Sequence, residues 1–474
     1  MSRSPAFALG LVLLGCSGLM SGKQGGHAED RAPPERPERP ERPDRAGRGA
    51  RPEQQGGRPK GTVLAESPLP SPVPVSAFAL GLNESVSIPA RLVRGMSLEQ
   101  QSYELNKDAA ATVTVGARLV RGHTGAYPSV SAWDLARSPD RLRQADAWVA
   151  AIQGAGLEPV MMVSPWPGND TGRVTDHYLP DDMAKYGAYV QALVERYDGD
   201  GIDDMPQLRS PVRYWEVDNE PDLKNSMVAR SARSPYDAST FCKPAEYAQV
   251  LLSSASAIKA AFPEAKVLNA GLYRPFSEQG SGYFRDLVAV PGVLAAIDIL
   301  SVHTYHDDLD GERLAVGVRN LRFYAPTKPI WVTETSLGTN AQISAEEQGR
   351  MVATFTARVA LEGADKLFWH TLADPPPDSV TEAMPMFGHS LYSTDASGVR
   401  TPKPAADVYK NLAAFLASHD LNGCVADGEG AVKLRDGSVL LYAGSRRVSA
   451  DGASLRTGAA LKPGDTAAAP AWLR

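Results

Sequence analysis

The chain has 474 residues, of which 43% are hydrophobic, enough for one large globular domain with a sizeable core and a smaller additional portion. Its 49 basic and 55 acidic residues give a formal net charge of -6. A nucleic-acid-binding surface needs a basic patch or stripe. The charge balance therefore argues against a nucleic-acid partner.

Residues 1–22 have the pattern of an export signal. Arg3 precedes a short apolar run, residues 6–14, which is too short to span a bilayer and is typical of a signal peptide. Leu13-Leu14-Gly15-Cys16 resembles the lipobox of bacterial lipoproteins, in which the cysteine is lipidated after cleavage. The alternative is a signal peptide with an incidental cysteine. Both interpretations predict an exported bacterial protein, either an outer-membrane or cell-surface lipoprotein or a secreted protein.

Residues 23–75 are dominated by Pro, Arg, Glu and Gly and include the imperfect repeat ERPERPERPDR. Such a composition cannot bury apolar surface, so we expect a disordered, extended linker. Behind a lipid anchor, this linker would hold a domain away from a membrane. A charged tail without such a purpose is the alternative.

Residues 76–420 alternate apolar runs with helical patterns. The eight runs cover residues 78–83, 116–123, 158–167, 213–221, 266–273, 297–306, 328–336 and 366–372. Capping boxes predict helix starts after Ser97 and Ser344. Eight strand-helix units predict an α/β fold, the (β/α)8 TIM barrel, and a doubly wound open sheet is the alternative.

Residues 421–474 differ in pattern from the barrel. In VKLRDGSVLLYAG, Asp436-Gly437 lies between two apolar runs and predicts a β-hairpin. We expect a small β-rich C-terminal portion that packs on the barrel, since so short a segment is not expected to fold alone. Cys242 and Cys424 would be able to pair in an oxidising compartment, but the sequence does not show that they meet.

Barrel enzymes carry their functional side chains at the carboxyl ends of the strands. The predicted strand ends offer two carboxylates, four histidines, two tryptophans, an arginine, an asparagine and a tyrosine: Arg121, His123, Trp166, Asn219, Glu220, His303, Tyr305, His306, Glu334, Trp369 and His370. Glycoside cleavage needs one carboxylic acid for the leaving oxygen and a second carboxylate at the anomeric carbon. Tryptophan faces suit the CH faces of sugar rings. This set of residues therefore points to carbohydrate chemistry.

The motifs WEVDNEP, HTY and WVTET, followed by Trp369, resemble those of retaining glycoside hydrolases of the (β/α)8-barrel clan A. Within the clan, RLVRGHTGAYPSV and FGHSLYSTDASGVRTPKPAADVY are most similar to family 39, which includes β-xylosidases and α-L-iduronidases. The resemblance extends over about residues 78–417. It implies hydrolysis of O-glycosyl bonds in poly- or oligosaccharides by a two-glutamate double displacement, without a cofactor or a metal.

The same resemblance implies residue roles. Glu220 matches the general acid/base, Glu334 the nucleophile, and Asn219 the residue that binds the sugar 2-hydroxyl. His303 and Tyr305 would orient or polarise Glu334, and Trp369 would form the floor of the sugar site. His123 and Trp166 are further substrate-binding candidates, whereas His370 is expected to pack away from the site.

The sequence also permits other assignments. Glu216 and Asp218 share the strand parity of Glu220, although each is better interpreted as a supporting group or an ion-pair partner of a nearby arginine. His303, His306 and Glu334 would together suit a metal site. A catalytically idle barrel that binds surface carbohydrate as a scaffold is the alternative function. Such barrels usually lack one of the two glutamates, and both are present here.

Overall fold

The computed structural model describes residues 73–87, 96–122, 139–165, 179–180, 182–222, 242–273, 275–305, 308–377 and 388–474. Eight parallel strands form its main sheet: β1 Ala79–Asn83, β2 Leu119–Arg121, β3 Glu158–Val163, β4 Tyr214–Val217, β5 Lys266–Asn269, β6 Leu300–Tyr305, β7 Ile330–Ser336 and β8 Lys366–His370. The strand order is β5-β4-β3-β2-β1-β8-β7-β6, and bridges between Leu268 and Ile299 and between Leu272 and Val302 join the two outer strands. The predicted (β/α)8 barrel is confirmed, because an open doubly wound sheet would leave β5 and β6 as separate edges.

Helices surround this barrel in the described part of the chain: α1 Leu98–Thr114, α2 Pro139–Gly154, α3 Met183–Glu195, α4 Pro244–Ala261, α5 Glu278–Val288, α6 Val293–Ala296, α7 Glu312–Tyr324, α8 Ala345–Leu361 and α9 Pro404–Leu416. Both predicted capping boxes are confirmed. Ser97 accepts from the Gln100 backbone N–H and Ser344 from that of Glu347, and each partner side chain returns a bond to the cap N–H. No helix among these described elements has the length and apolar character needed to cross a membrane.

The amino ends of the strands enclose an apolar plug. It consists of Val73, Ala79, Leu119, Val160, Tyr214, Leu268, Ile299, Trp331 and Phe368. The Trp331 ring lies 4.8 Å from that of Tyr214, and a Cβ at Gly81 would come within 2.5 Å of the Phe368 ring. Because apolar side chains fill the barrel interior at this end, a polar ligand pocket can open only at the opposite, carboxyl end of the strands.

A short segment, residues 73–77, closes the plugged end from outside and is called the strap below. The Tyr214 hydroxyl donates to the Val73 carbonyl (3.3 Å), and the buried Lys366 ammonium donates to the carbonyls of Pro74 and Val75, each at 2.9 Å, and to that of Ala77. Residues 73–75, which were expected to belong to the linker, therefore pack against the barrel. Residues 1–72, including Cys16 and the Pro/Arg-rich repeat, lie outside the described residues.

Antiparallel β-structure follows β8, and residues 421–474 are β-rich, as expected. Two short strands, β9 Tyr392–Thr394 and β10 Arg400–Pro402, pair before α9. Eight more follow: β11 Val425–Ala426, β12 Ala431–Lys433, β13 Val439–Leu441, β14 Ser445–Arg447, β15 Gly452–Ser454, β16 Ala460–Leu461, β17 Thr466–Ala468 and β18 Ala471–Leu473. The predicted hairpin is confirmed, since β12 and β13 pair across Asp436 and Gly437. Cys242 and Cys424 are both buried and are not joined by a disulfide.

Candidate active site

The carboxyl end of the barrel gathers the polar side chains that the strand ends provide. They are Asn83 from β1, Arg121 from β2, Glu216 from β4 with Asn219 and Glu220 just beyond it, Ser301, His303 and Tyr305 from β6, Thr333 and Glu334 from β7, and His370 from β8. The register of β6 against β7 shifts next to His303. This irregularity lets the adjacent Thr333 and Glu334 both turn toward the barrel axis, as bulges near functional sites often do.

Two carboxylates face each other across this pocket. One oxygen of Glu220 and one of Glu334 lie within 4.8 Å of each other, and the two side chains are 13% and 11% exposed. Glu220 has a φ of +48°, and its N–H donates to the Gly271 carbonyl (3.2 Å). A left-handed backbone at a non-glycine residue costs about 1 kcal/mol or more and persists only where the surroundings impose it. The backbone therefore holds Glu220 toward Glu334.

Arg121 links the two sides of the pocket from a fully buried position. Its Nε donates to Glu216, its Nη1 to Asn83 (2.9 Å) and Glu334 Oε2 (3.1 Å), and its Nη2 to Asn219 (2.7 Å). Burial opposes the charged guanidinium, but the carboxylates of Glu216 and Glu334 outweigh it and raise the pKa of Arg121. Glu216 is thus the ion-pair partner that its strand position suggested.

Glu334 is bound on both oxygens. Arg121 occupies Oε2, and the Tyr305 hydroxyl donates to Oε1 at 2.6 Å. Burial, together with the negative charge of Glu334, raises the pKa of Tyr305 well above its usual value, so this phenol stays a donor. A carboxylate that accepts from a guanidinium and a phenol is held as an anion with a fixed orientation.

A chain of hydrogen bonds fixes the proton of His303. The Ser301 hydroxyl donates its proton to Glu216 (2.7 Å). The Thr333 hydroxyl contacts both Ser301 and Glu216, and because neither can donate to it, Thr333 must donate its own proton to one of them. Thr333 then accepts from His303 Nε2–H at 3.0 Å. His303 Nδ1 lies 2.9 Å from Glu220 Oε1 and 3.4 Å from Glu334 Oε2. One proton consequently lies between His303 Nδ1 and Glu220, and His303 orients Glu220 more directly than it orients Glu334.

The structure places Trp369, the predicted floor of the sugar site, outside the pocket. Trp369 is fully buried, with its ring 6.0 Å from that of Phe355 on α8 and its Nε1–H donating to the His389 carbonyl. It offers no face to a ligand. His370, expected to pack elsewhere, lies in the pocket instead: its Nδ1 is 2.9 Å from Asn83 Nδ2 and 3.9 Å from Glu334 Oε1.

Several predictions lie outside the described residues, namely those for His123, Trp166 and His306. The structure brings together Asn219, Glu220, His303, Tyr305 and Glu334, whose chemical roles stay predictions. Asn83 and Arg121 were not chosen as site residues. The sequence signal for Arg121 was a cation at the end of an apolar strand, where an unpaired charge would be costly.

Glu220, His303 and Glu334 also place three ligand-type atoms within 4.8 Å of one another. A cation there would compete with the Arg121 and Tyr305 bonds that Glu334 already makes. The residues therefore fit a carboxylate pair bound to protein donors better than a metal centre.

Part of the chain that contains this site matches a known protein family. Residues 193–383, which span β4 to β8 and include both glutamates, match the glycosyl hydrolase catalytic core. The chain is a glycoside hydrolase. A search of curated proteins found no match.

Solved structures similar to this hydrolase share its fold at low sequence identity. A glucosidase from Croceicoccus marinus is 17% identical with a TM-score of 0.52, over 82% of this chain and 81% of that one. A family 39 glycoside hydrolase from Bacteroides cellulosilyticus is 14% identical with a TM-score of 0.55, over 85% and 82% of the two chains. GH5_18 from Streptomyces cattleya, solved with GlcNAc, is 14% identical with a TM-score of 0.52, over 72% and 81%.

Proposed function

We propose that this glycoside hydrolase cleaves O-glycosyl bonds of poly- or oligosaccharides with retention of anomeric configuration. The observation that supports this most is the separation of the two carboxylates, one oxygen of Glu220 and one of Glu334 lying within 4.8 Å. Retaining enzymes have carboxyl groups about 5–5.5 Å apart, whereas inverting enzymes need about 6.5–9.5 Å to admit a water molecule.

In this mechanism Glu334 attacks the anomeric carbon and forms a glycosyl-enzyme intermediate. Its fixed anionic carboxylate suits that role, because both oxygens are oriented by charged or phenolic donors. Glu220 gives the leaving oxygen the proton that it shares with His303, then removes a proton from the incoming water. Asn219, oriented by Arg121, would bind the 2-hydroxyl of the sugar.

We further propose that the protein is exported, as a lipoprotein through Cys16 or as a secreted enzyme. The strap supports a tethering role for the preceding residues, because it joins the barrel at the end opposite the two glutamates. A tether attached there leaves the carboxyl end of the barrel accessible to a polymer.

A panel of aryl glycosides tests the activity, using the parent protein, Glu220→Gln and Glu334→Gln. We expect a covalent adduct on Glu334 with a 2-fluoro glycoside, shown by peptide mapping, and a first product of retained configuration by NMR. Glu334→Gln should lose turnover by about 10³-fold or more, and Glu220→Gln should lose most activity on substrates with poor leaving groups.

Four results would contradict the proposal. An inverted product would exclude double displacement. Turnover that survives in Glu334→Gln would exclude the nucleophile assignment, and turnover abolished by a chelator would favour the metal interpretation. A protein that binds polysaccharide but cleaves no glycoside would be the idle scaffold.

A further inference from the structure

His370 occupies the strand end beside the proposed nucleophile, with one ring nitrogen committed to the protein. Arg121 Nη1 can only donate, so the Asn83 oxygen that it contacts must be the amide Oδ1. The other end of that amide, Nδ2, is therefore the donor to His370 Nδ1 at 2.9 Å. Nδ1 must be unprotonated, and the proton of His370 lies on Nε2.

The ring of His370 is held in place as well as in this tautomer. It meets the Tyr305 ring edge to face, with centroids 6.1 Å apart at 89°, while Tyr305 itself donates to Glu334. The His370 side chain remains 10% exposed. Among the described residues, none accepts a hydrogen bond from the Nε2–H of His370. Nε2 is also not one of the fully buried polar atoms that lack a hydrogen-bond partner. A rigid, neutral N–H donor is thus left over beside the carboxylates.

We propose that His370 determines substrate preference by donating its Nε2–H to a ring hydroxyl of the sugar bound against Glu334. The proposal rests on the proposed function, because that function puts a sugar ring next to Glu334. A neutral N–H donor binds a hydroxyl and does not require an anionic sugar. The hydrogen bond from Asn83 fixes the tautomer of His370, so that Nε2 is a donor and not an acceptor. The hydroxyl differs from the one assigned to Asn219, since β8 and β4 approach the pocket from different sides.

The test measures binding without turnover. In the Glu334→Gln background, calorimetry gives Kd values for the 4-nitrophenyl glycosides of xylose, glucose, mannose and N-acetylglucosamine, then for the monodeoxy analogues of the tightest ligand. His370→Phe keeps the edge-to-face ring but removes the donor, and His370→Gln restores an N–H. His419→Phe is the matched control, because His419 stacks on Phe415 and lies beside Trp472, away from the pocket.

We expect His370→Phe to raise the Kd of the tightest-binding glycoside about tenfold, as the loss of one neutral hydrogen bond would. The same substitution should not change the Kd of the one monodeoxy analogue that lacks the hydroxyl bound by His370. His370→Gln should recover part of the loss, and His419→Phe should bind like its parent.

The His370 proposal would be overturned if His370→Phe lost the same affinity for every glycoside or lost none for any. It would also be overturned if the parent bound none of the glycosides. Turnover is measured separately with Glu334 intact. Absence of turnover together with hydroxyl-selective binding would overturn the proposed hydrolysis but retain the role of His370.

Discussion

Arg121 combines structural and chemical roles in one buried side chain. Its guanidinium contacts two carboxylates and two asparagine oxygens, and neither it nor Glu216 has any exposed side-chain surface. Removing one partner of a buried ion pair leaves the other charge uncompensated, which costs about 3–5 kcal/mol. The stability of the fold and the orientation of Glu334, the proposed nucleophile, therefore depend on the same residue.

Arg121→Met should consequently lower the free energy of unfolding by about 3–5 kcal/mol and abolish turnover, as measured by urea denaturation and the aryl glycoside assay. Arg196→Met is the matched control. Arg196 also binds a carboxylate with two nitrogens, at 2.9 and 2.6 Å from Asp146, but that pair is about one-fifth exposed and should cost about 1 kcal/mol or less. Equal losses in the two variants would contradict this view of Arg121.

His389 predicts an acid sensitivity at the rim of the pocket. Burial lowers the pKa of His389 to about 4, from an ordinary value of 6.5. Between these values the unfolded chain binds more protons, so the contribution of neutral His389 to stability is present above pH 6.5 and is lost as the pH falls toward 4.

The expected decrease in the free energy of unfolding is up to about 3 kcal/mol across that interval. His389→Asn keeps a group that can meet Ser336, which lies 2.8 Å from His389 Nδ1, but it does not titrate. Its denaturation midpoint should fall less between pH 6.5 and 4 than that of the parent. Parallel curves for the two proteins would exclude His389 as the source.

At the level of elements, strands were predictable because each is an apolar run bounded by a helix pattern. Which face of β8 points inward was not predictable from alternation alone, since both faces of a barrel strand are buried. The outcome has a physical reason: the outer face packs on apolar helices, as Trp369 does on Phe355, and polar His370 takes the inner face at the open end. The partners of Arg121 come from three other strands, so they depend on register that local sequence does not encode.

One buried cation binds three carbonyls of the strap. Burial lowers the pKa of Lys366 to about 8, although the Asp365 and Glu158 carboxylates act in the opposite direction. Its ammonium donates to three strap carbonyls. Lys366→Met would leave these carbonyls without their donor, each at a cost of about 1–3 kcal/mol where it cannot reach water.

We therefore expect Lys366→Met to increase amide hydrogen exchange and proteolysis within residues 73–78 while turnover stays near the parent value. Lys328→Met is the control, because Lys328 donates to one carbonyl, that of Ile297 at 2.6 Å, outside the strap. Unchanged exchange in the strap of Lys366→Met would show that apolar contacts of Val73 and Val75 suffice to hold it.

On the scale of the whole molecule, the C-terminal sheet and the barrel share one hydrophobic core. Phe415 of α9, Leu440 of β13 and Leu455 belong to the same buried cluster as the barrel helices, and Asn411 donates to the Leu455 carbonyl (2.8 Å). Apolar surface shared in this way couples the unfolding of its two sides, so the sheet should not melt as an independent unit.

Leu440→Ala tests this coupling, because Leu440 is fully buried where the sheet meets the barrel. A buried leucine truncated to alanine costs about 2–5 kcal/mol. We expect calorimetry to show one transition, shifted to lower temperature, with turnover lost along the same curve. Val425→Ala, at a side chain that is 60% exposed in the same sheet, should change the free energy of unfolding by less than about 0.5 kcal/mol. If Leu440→Ala instead gives an early transition that spares turnover, the sheet unfolds alone and the barrel does not depend on it.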